Sequence, residues 1–263
     1  MIPYYIFLAI RGVVIDGACQ DDFKGESEAK LREQYEGKPI VKFCNDVQGM
    51  AEGVINRSGE YFIRLMHGKS TPASLDVKYA TSLLFTMGTG TGMSIIYSYQ
   101  GRPLVLSTET WASQLSIDMN NPRQVAAGDY LNKVKRTKAN LMKFLKGPAL
   151  LTLYTFMQSQ HPELYTGVEK KIKKALKKER PKDALKTPIG VPECVTHAAV
   201  YKQDELCTMT IEFLVEIMAC ALQTMALTFL PGAIYISGGV ANYLSSFIKE
   251  REDLFWQHFL NHA

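Results

Sequence analysis

Three short stretches of this 263-residue chain carry residues that can do chemistry together. The first is Gly88-Thr89-Gly90-Thr91-Gly92, three glycines at alternate positions with threonine hydroxyls between them. Glycine allows positive φ and lets backbone N–H groups approach a ligand closely, and threonine adds hydroxyl donors, so a polyphosphate is the natural guest. The competing reading is a plain glycine-rich hairpin. The second stretch is Asn45-Asp46, which follows the apolar run Ile40-Val41-Lys42-Phe43-Cys44 and makes Asp46 a candidate general base. Both residues are also good helix N-caps, the commoner role for such a pair. The third is Glu109, just past Leu104-Val105-Leu106. Asp46 and Glu109 stand at strand ends on either side of the glycine turn, and two acids so placed can hold the hydroxyls of a polyol.

These residues need strands that end together. Residues 4–10 and 13–15 read as β-type runs, with Asp16-Gly17 as a hairpin turn signal, so the chain begins inside a sheet. Residues 27–35 read as a short helix stopped by Gly37 and Pro39. A strand over 40–44 delivers Asn45-Asp46 to a helix over 47–55, which is the crevice where open α/β sheets bind ligands. Residues 81–86, 93–99 and 104–106 supply strands around the glycine turn.

The rest reads as a helical second lobe: 139–144, then Gly147-Pro148, then a helix over 149–158 with Leu150, Leu151, Leu153, Tyr154 and Met157 as a core-facing stripe. Residues 169–186 form a basic surface helix broken at Pro181, and Pro188 and Pro192 mark a loop. Asp204 or Glu205 starts a long helix to Phe229, stopped by Pro231-Gly232 before a last strand.

Bulk composition limits the classes of function. The chain is 46% hydrophobic and 21% charged with a net charge of +4, so it can bury a sizeable core, and nucleic-acid binding is not indicated. Five scattered cysteines without a C-x-x-C pair point to buried thiols in a reducing compartment. The apolar start lacks a basic leader region, and Glu212, Glu216 and Gln223 interrupt the apolar stretch 205–230, so neither reads as a signal peptide or a membrane span.

Taken in order, these motifs resemble the bacterial-type glucokinases of the hexokinase/actin/Hsp70 ATPase superfamily. Asn45-Asp46 before a helix resembles the family's catalytic Asn-Asp pair, and residues 88–92 resemble its Gly-Pro-Gly-Thr-Gly second phosphate loop. Leu106-Ser107-Thr108-Glu109 resembles the approach to its sugar-binding Glu-Gly-Gly-His. Leu145-Lys146-Gly147-Pro148-Ala149-Leu150 resembles its Leu-Ser-Gly-Pro-Gly-Leu helix start. Residues 232–241, with Gly238-Gly239, resemble the strand and glycine turn that pack against adenosine. A cysteine-rich zinc motif of the related ROK kinases has no counterpart, which favours the glucokinase branch.

The resemblance implies an α/β fold: a two-lobed, ribonuclease H-like (actin-like ATPase) sugar kinase, with the first strands of the N-terminal lobe missing. Residues 1–56 would be the remnant of the small lobe and 57–263 the large lobe. It implies a cytoplasmic enzyme passing the γ-phosphate of ATP to the 6-hydroxyl of glucose or a similar hexose. Asp46 would accept the hydroxyl proton, Asn45 and Glu109 would bind sugar, and Gly88, Thr89, Gly90, Thr91 and Gly92 would hold the β/γ-phosphates. Gly238 and Gly239 would face adenosine. Mg²⁺ would be bound through phosphates and water, without an assigned protein ligand. The family is commonly dimeric.

The chain also departs from the pattern. It lacks the family's opening Asp-x-Gly-Gly-Thr loop, and the sugar-contacting histidine falls on Ala112. The second sugar-binding glutamate falls near Met142. Each lost hydrogen-bonding partner is worth about 1–3 kcal/mol, so weak glucose binding and weak or absent activity are expected. The alternative is a catalytically impaired glucokinase-like protein acting as a binding or regulatory module.

Overall fold

In a computed structural model of the chain, the residues described are 5–10, 14–15, 18–19, 26–34, 40–57, 61–63, 65, 81–108, 117–136, 138–164, 167–168, 170–172, 190–202 and 204–261. Strands β1 (Tyr5–Ile10) and β4 (Ile40–Asn45) pair in parallel, with Ile10 opposite Asn45. The short β2 (Val14–Ile15) and β3 (Ala18–Cys19) form a hairpin, and α1 (Glu28–Gln34) lies between β3 and β4 in the chain. A parallel pair needs a crossover, and the stretch containing α1 supplies it. Glu28, in the first turn of α1, accepts the Phe43 N–H at 2.8 Å and so ties this helix to β4.

Helix α2 (Asp46–Ile55) leads towards the second sheet, which has the order β7-β6-β5-β8. Its strands are β5 (Ser82–Met87), β6 (Thr91–Tyr99), β7 (Arg102–Thr108) and β8 (Ala233–Ser237). The first three are antiparallel neighbours, and β8 runs parallel to β5 with Thr86 opposite Ser237. Gln100 and Gly101, at φ 51° and 73°, make the two-residue β6–β7 turn, whose twist suits a hairpin.

All six residues of β5 are buried because both faces of the sheet are covered. Leu84 and Ile96 meet Val47 and Ala51 of α2 on one face. Leu83, Phe85, Met87 and Met93 join the main core on the other. That core is built from α4 (Ala149–Gln160), α5 (Gly190–Lys202), α6 (Glu205–Phe229), α7 (Gly239–Glu250) and α8 (Glu252–Phe259). Helix α3 (Pro122–Tyr130) runs into a π-helical turn, Leu131–Lys135, before the 3₁₀ turn Leu141–Lys143.

Helix α6 is capped by the Asp204 carboxylate, which accepts the Cys207 N–H at 3.0 Å. It is buried as its apolar sequence requires, and its Glu216 is fully buried with polar partners. Among the described residues no helix is long and apolar enough to cross a membrane.

Two expectations change. Pro192 lies inside the first turn of α5 and not in a loop. Proline is tolerated there because the first turn's N–H groups have no intrahelical acceptor. The expected basic helix over 169–186 is described only at residues 170–172, so the rest of it, like Asp16-Gly17 and Ala112, lies outside the described residues.

Candidate active site

Asn45 ends β4 and caps α2. Its Oδ1 accepts the Val47 N–H at 2.9 Å and the Gln48 N–H at 3.3 Å, with the backbone extended at φ −61° and ψ 146°. The capping reading of this residue therefore holds. Asp46 is the first helical residue, half-buried, with Oδ1 accepting the same Val47 N–H at 2.9 Å. A carboxylate in the first turn also sits favourably at the positive end of the helix dipole. Neighbouring Cys44 is no nucleophile: burial, then the Glu52 and Asp46 charges, push its thiol above the ordinary cysteine range.

The glycine turn joins β5 to β6, and Gly88 N–H donates to Gly90 O at 2.8 Å. The expectation of positive φ fails here. Among the described residues the glycines in that region are Gly101 and Gly238. Of the three glycines, Gly92 serves space instead. A Cβ on Gly92 would lie 2.5 Å from Val47 Cγ2 and 3.2 Å from Thr86 Oγ1, so Gly92 lets the start of α2 press against β6. Gly88 and Gly90 have open space where a side chain would be, but both backbone groups of Gly88 are bonded and Gly90 is the exposed one of the two. Thr89 is exposed, whereas Thr91 is buried and its hydroxyl donates to Leu145 O.

Two more segments meet this turn. Gly147 N–H donates to Gly88 O at 2.7 Å, and a Cβ on Gly147 would crowd that carbonyl at 3.1 Å. Gly238, at φ 100° and ψ 164°, passes over the Met87 peptide, where a Cβ would lie 2.7 Å from Met87 C and 2.9 Å from its N. That combination of backbone angle and close approach requires glycine. Gly239 is exposed, with open space where a side chain would be.

The starts of α2, α4 and α7 thus converge on the ends of β5 and β8. Neither α4 nor α7 has a side-chain N-cap: Pro148 and Gly238 occupy those positions. The first N–H groups of α4 are taken up by the Lys146 and Gly147 carbonyls, so the uncapped start of α7 is the one that favours an anion. Glu109 lies outside the described residues. The residue before it, Thr108, pairs with Met93 and donates its hydroxyl to Met93 O at 2.7 Å, so the described end of β7 lies one residue past Gly92. Sequence reasoning assigned no role to Lys146, which sits between the two residues bonded to the turn. A lysine in the middle of a Leu-x-Gly-Pro helix start was the available signal.

Replacing Gly92 with alanine is expected to cost about 1–3 kcal/mol of stability, the usual range for forcing one methyl into a packed contact. Thermal melts of wild type and variant check the effect.

Comparison with solved structures identifies the class. The chain superposes on a glucokinase from Balamuthia mandrillaris in complex with glucose at a TM-score of 0.70, with 13% identity, covering 98% of this chain and 70% of that one. A ROK family glucokinase from Streptomyces griseus, solved with glucose and AMPPNP, gives 0.55 and 16% identity, covering 92% and 65%. The fold is therefore that of the actin-like ATPase sugar kinases. The Glucokinase family model matches residues 5–263, and the chain belongs to that family. A glucokinase-like protein of Xylella fastidiosa (strain 9a5c) is 26% identical over 221 residues, 84% of this chain and 55% of that protein. The chain spans about half the length of the curated relatives it matches.

Proposed function

We propose that the chain works as a glucokinase-type hexose kinase, moving the γ-phosphate of ATP to the 6-hydroxyl of glucose at the start of glycolysis. The observation that carries this reading is the packing of Gly92 on Val47, which brings the Asp46 end of α2 to the glycine turn. Phosphoryl transfer asks mainly for alignment and charge stabilisation, and a carboxylate at the helix start packed on a glycine turn suits both.

In this reading Asp46 accepts the proton of the sugar hydroxyl, while Asn45 and Glu109 hold neighbouring hydroxyls. The exposed backbone of Thr89 and Gly90, with the Thr89 hydroxyl, takes the β/γ-phosphates, and Gly88 holds the turn in shape through its own bonds to Gly90 and Gly147; Gly238 and Gly239 face adenosine. Thr91 and Gly92 act through the loop's anchoring. Mg²⁺ enters as part of the Mg·ATP substrate, carried by phosphate oxygens and water. The reading divides the chain into lobes at 1–56 and 57–263, with α2 packed against the larger lobe's sheet. A reducing cytoplasm suits the free thiols of Cys44, Cys194, Cys207 and Cys220.

One observation favours the non-catalytic alternative. Met142, near which the second sugar-binding glutamate would fall, is packed in the core at 4% exposure and offers no hydrogen bond to a sugar. Calorimetry with glucose and with ATP, followed by an assay coupling glucose 6-phosphate to NADPH, separates the two. Binding of both ligands with turnover supports the kinase. Binding without turnover supports the module, and binding of neither overturns both readings.

A further inference from the structure

We propose that Lys146 is a phosphate-binding residue of this site, closing the glycine turn over the triphosphate chain of the nucleotide. The assignment rests on the kinase reading and adds to it a side-chain cation that the glycine turn itself does not contain. The backbone on both sides of Lys146 is fastened to that turn: Leu145 O accepts the Thr91 hydroxyl, and Gly147 N–H donates to Gly88 O at 2.7 Å. Lys146 O accepts the Ala149 N–H at 2.9 Å, so the residue also belongs to the start of α4. Its position relative to residues 88–92 is therefore set by the two bonds of its neighbours, and its place in the helix start by the third.

Among the described residues the Lys146 ammonium has no ion pair and no side-chain hydrogen bond, although the residue is half-buried. Burial first, and then the like charge of Lys143, push its pKa below the ordinary lysine range. Lys143 is exposed and likewise has no acidic partner among the described residues. A desolvated lysine beside a second cation costs folding free energy, and a bound polyanion offsets that cost by pairing both charges. Fixed backbone amides together with a lysine on a flexible stem match a phosphate chain, which offers many acceptor oxygens in no rigid plane.

The test is calorimetric titration of the 263-residue chain with Mg·ATP, inorganic tripolyphosphate and AMP. Lys146→Met should weaken ATP and tripolyphosphate about tenfold or more, the worth of one charge-assisted hydrogen bond, and leave AMP unchanged. Lys146→Arg should restore most of the loss. Wild-type affinity for ATP should fall as pH rises through the lowered lysine pKa, while both variants should stay flat over that range. Equal triphosphate affinity in wild type and Lys146→Met overturns the lysine assignment alone. A matching loss on AMP shows that the residue acts through the adenosine side and overturns it too. Failure of wild type to bind either triphosphate overturns the kinase reading together with the assignment.

Discussion

Asp46→Asn is expected to lower kcat by about 10²–10⁴-fold, the usual contribution of a positioned general base, with little change in the affinity for glucose or ATP. The substitution keeps the shape of the side chain and an oxygen able to accept the Val47 N–H, now bonded at 2.9 Å, so the start of α2 should remain intact. The cap itself belongs to Asn45, through bonds to Val47 and Gln48. That separation makes the prediction clean. Asn45→Ala should remove an N-cap worth about 1 kcal/mol and lower stability and activity together, whereas Asp46→Asn should lower activity alone. Rates come from the NADPH-coupled assay and affinities from calorimetry. Equal turnover by wild type and Asp46→Asn would remove the carboxylate from the mechanism.

Much of this site was legible because its parts are local. Apolar runs, glycines at alternate positions and an Asn-Asp pair at a strand end are short-range patterns, and the backbone follows them: β4 hands over to α2 at Asp46, and β5 turns into β6 across residues 88–90. What the glycines do was not legible. Their spacing suggested positive φ, yet Gly92 is small because Val47, 45 positions earlier, must fit against it. Gly238 alone among the site glycines meets the conformational expectation, and its small size also answers to the Met87 peptide far upstream. Lys146 was hidden for a similar reason: its chain neighbours Leu145 and Gly147 are bonded to Thr91 and Gly88, more than 50 residues away. Such long-range contacts are not written in a single sequence.

The same limit applies to Glu216, whose charge argued against a membrane span without saying what would satisfy it in a core. Its carboxylate accepts Asn121 Nδ2–H at 2.7 Å and Gln124 Nε2–H at 3.2 Å, is paired with the Arg123 guanidinium, and has His258 Nε2 at 3.9 Å. Asn121 has a second task, since its Oδ1 caps α3 through the Arg123 and Gln124 N–H groups at 3.1 and 3.2 Å. One buried acid therefore joins the start of α3 to α6 and α8.

Glu216→Ala leaves buried amides without an acceptor and is expected to cost about 3–5 kcal/mol, seen as a melting point roughly 10 °C lower. Glu216→Gln keeps one acceptor and should cost less. His258 supplies a pH signature. Burial chiefly, and then Arg123, push its pKa below the ordinary 6.5, with Glu216 pulling the other way. A histidine depressed in the folded state adds stability that is complete above the unfolded pKa and is lost as pH falls through the folded one. Wild type should therefore weaken in urea melts as pH falls through the ordinary histidine range and below it, and His258→Gln should flatten that slope. Glu216→Ala removes the one influence holding the histidine up, so its acid-side loss should be steeper than that of wild type. A parallel pH profile in all three proteins would show that the carboxylate and the imidazole are not coupled.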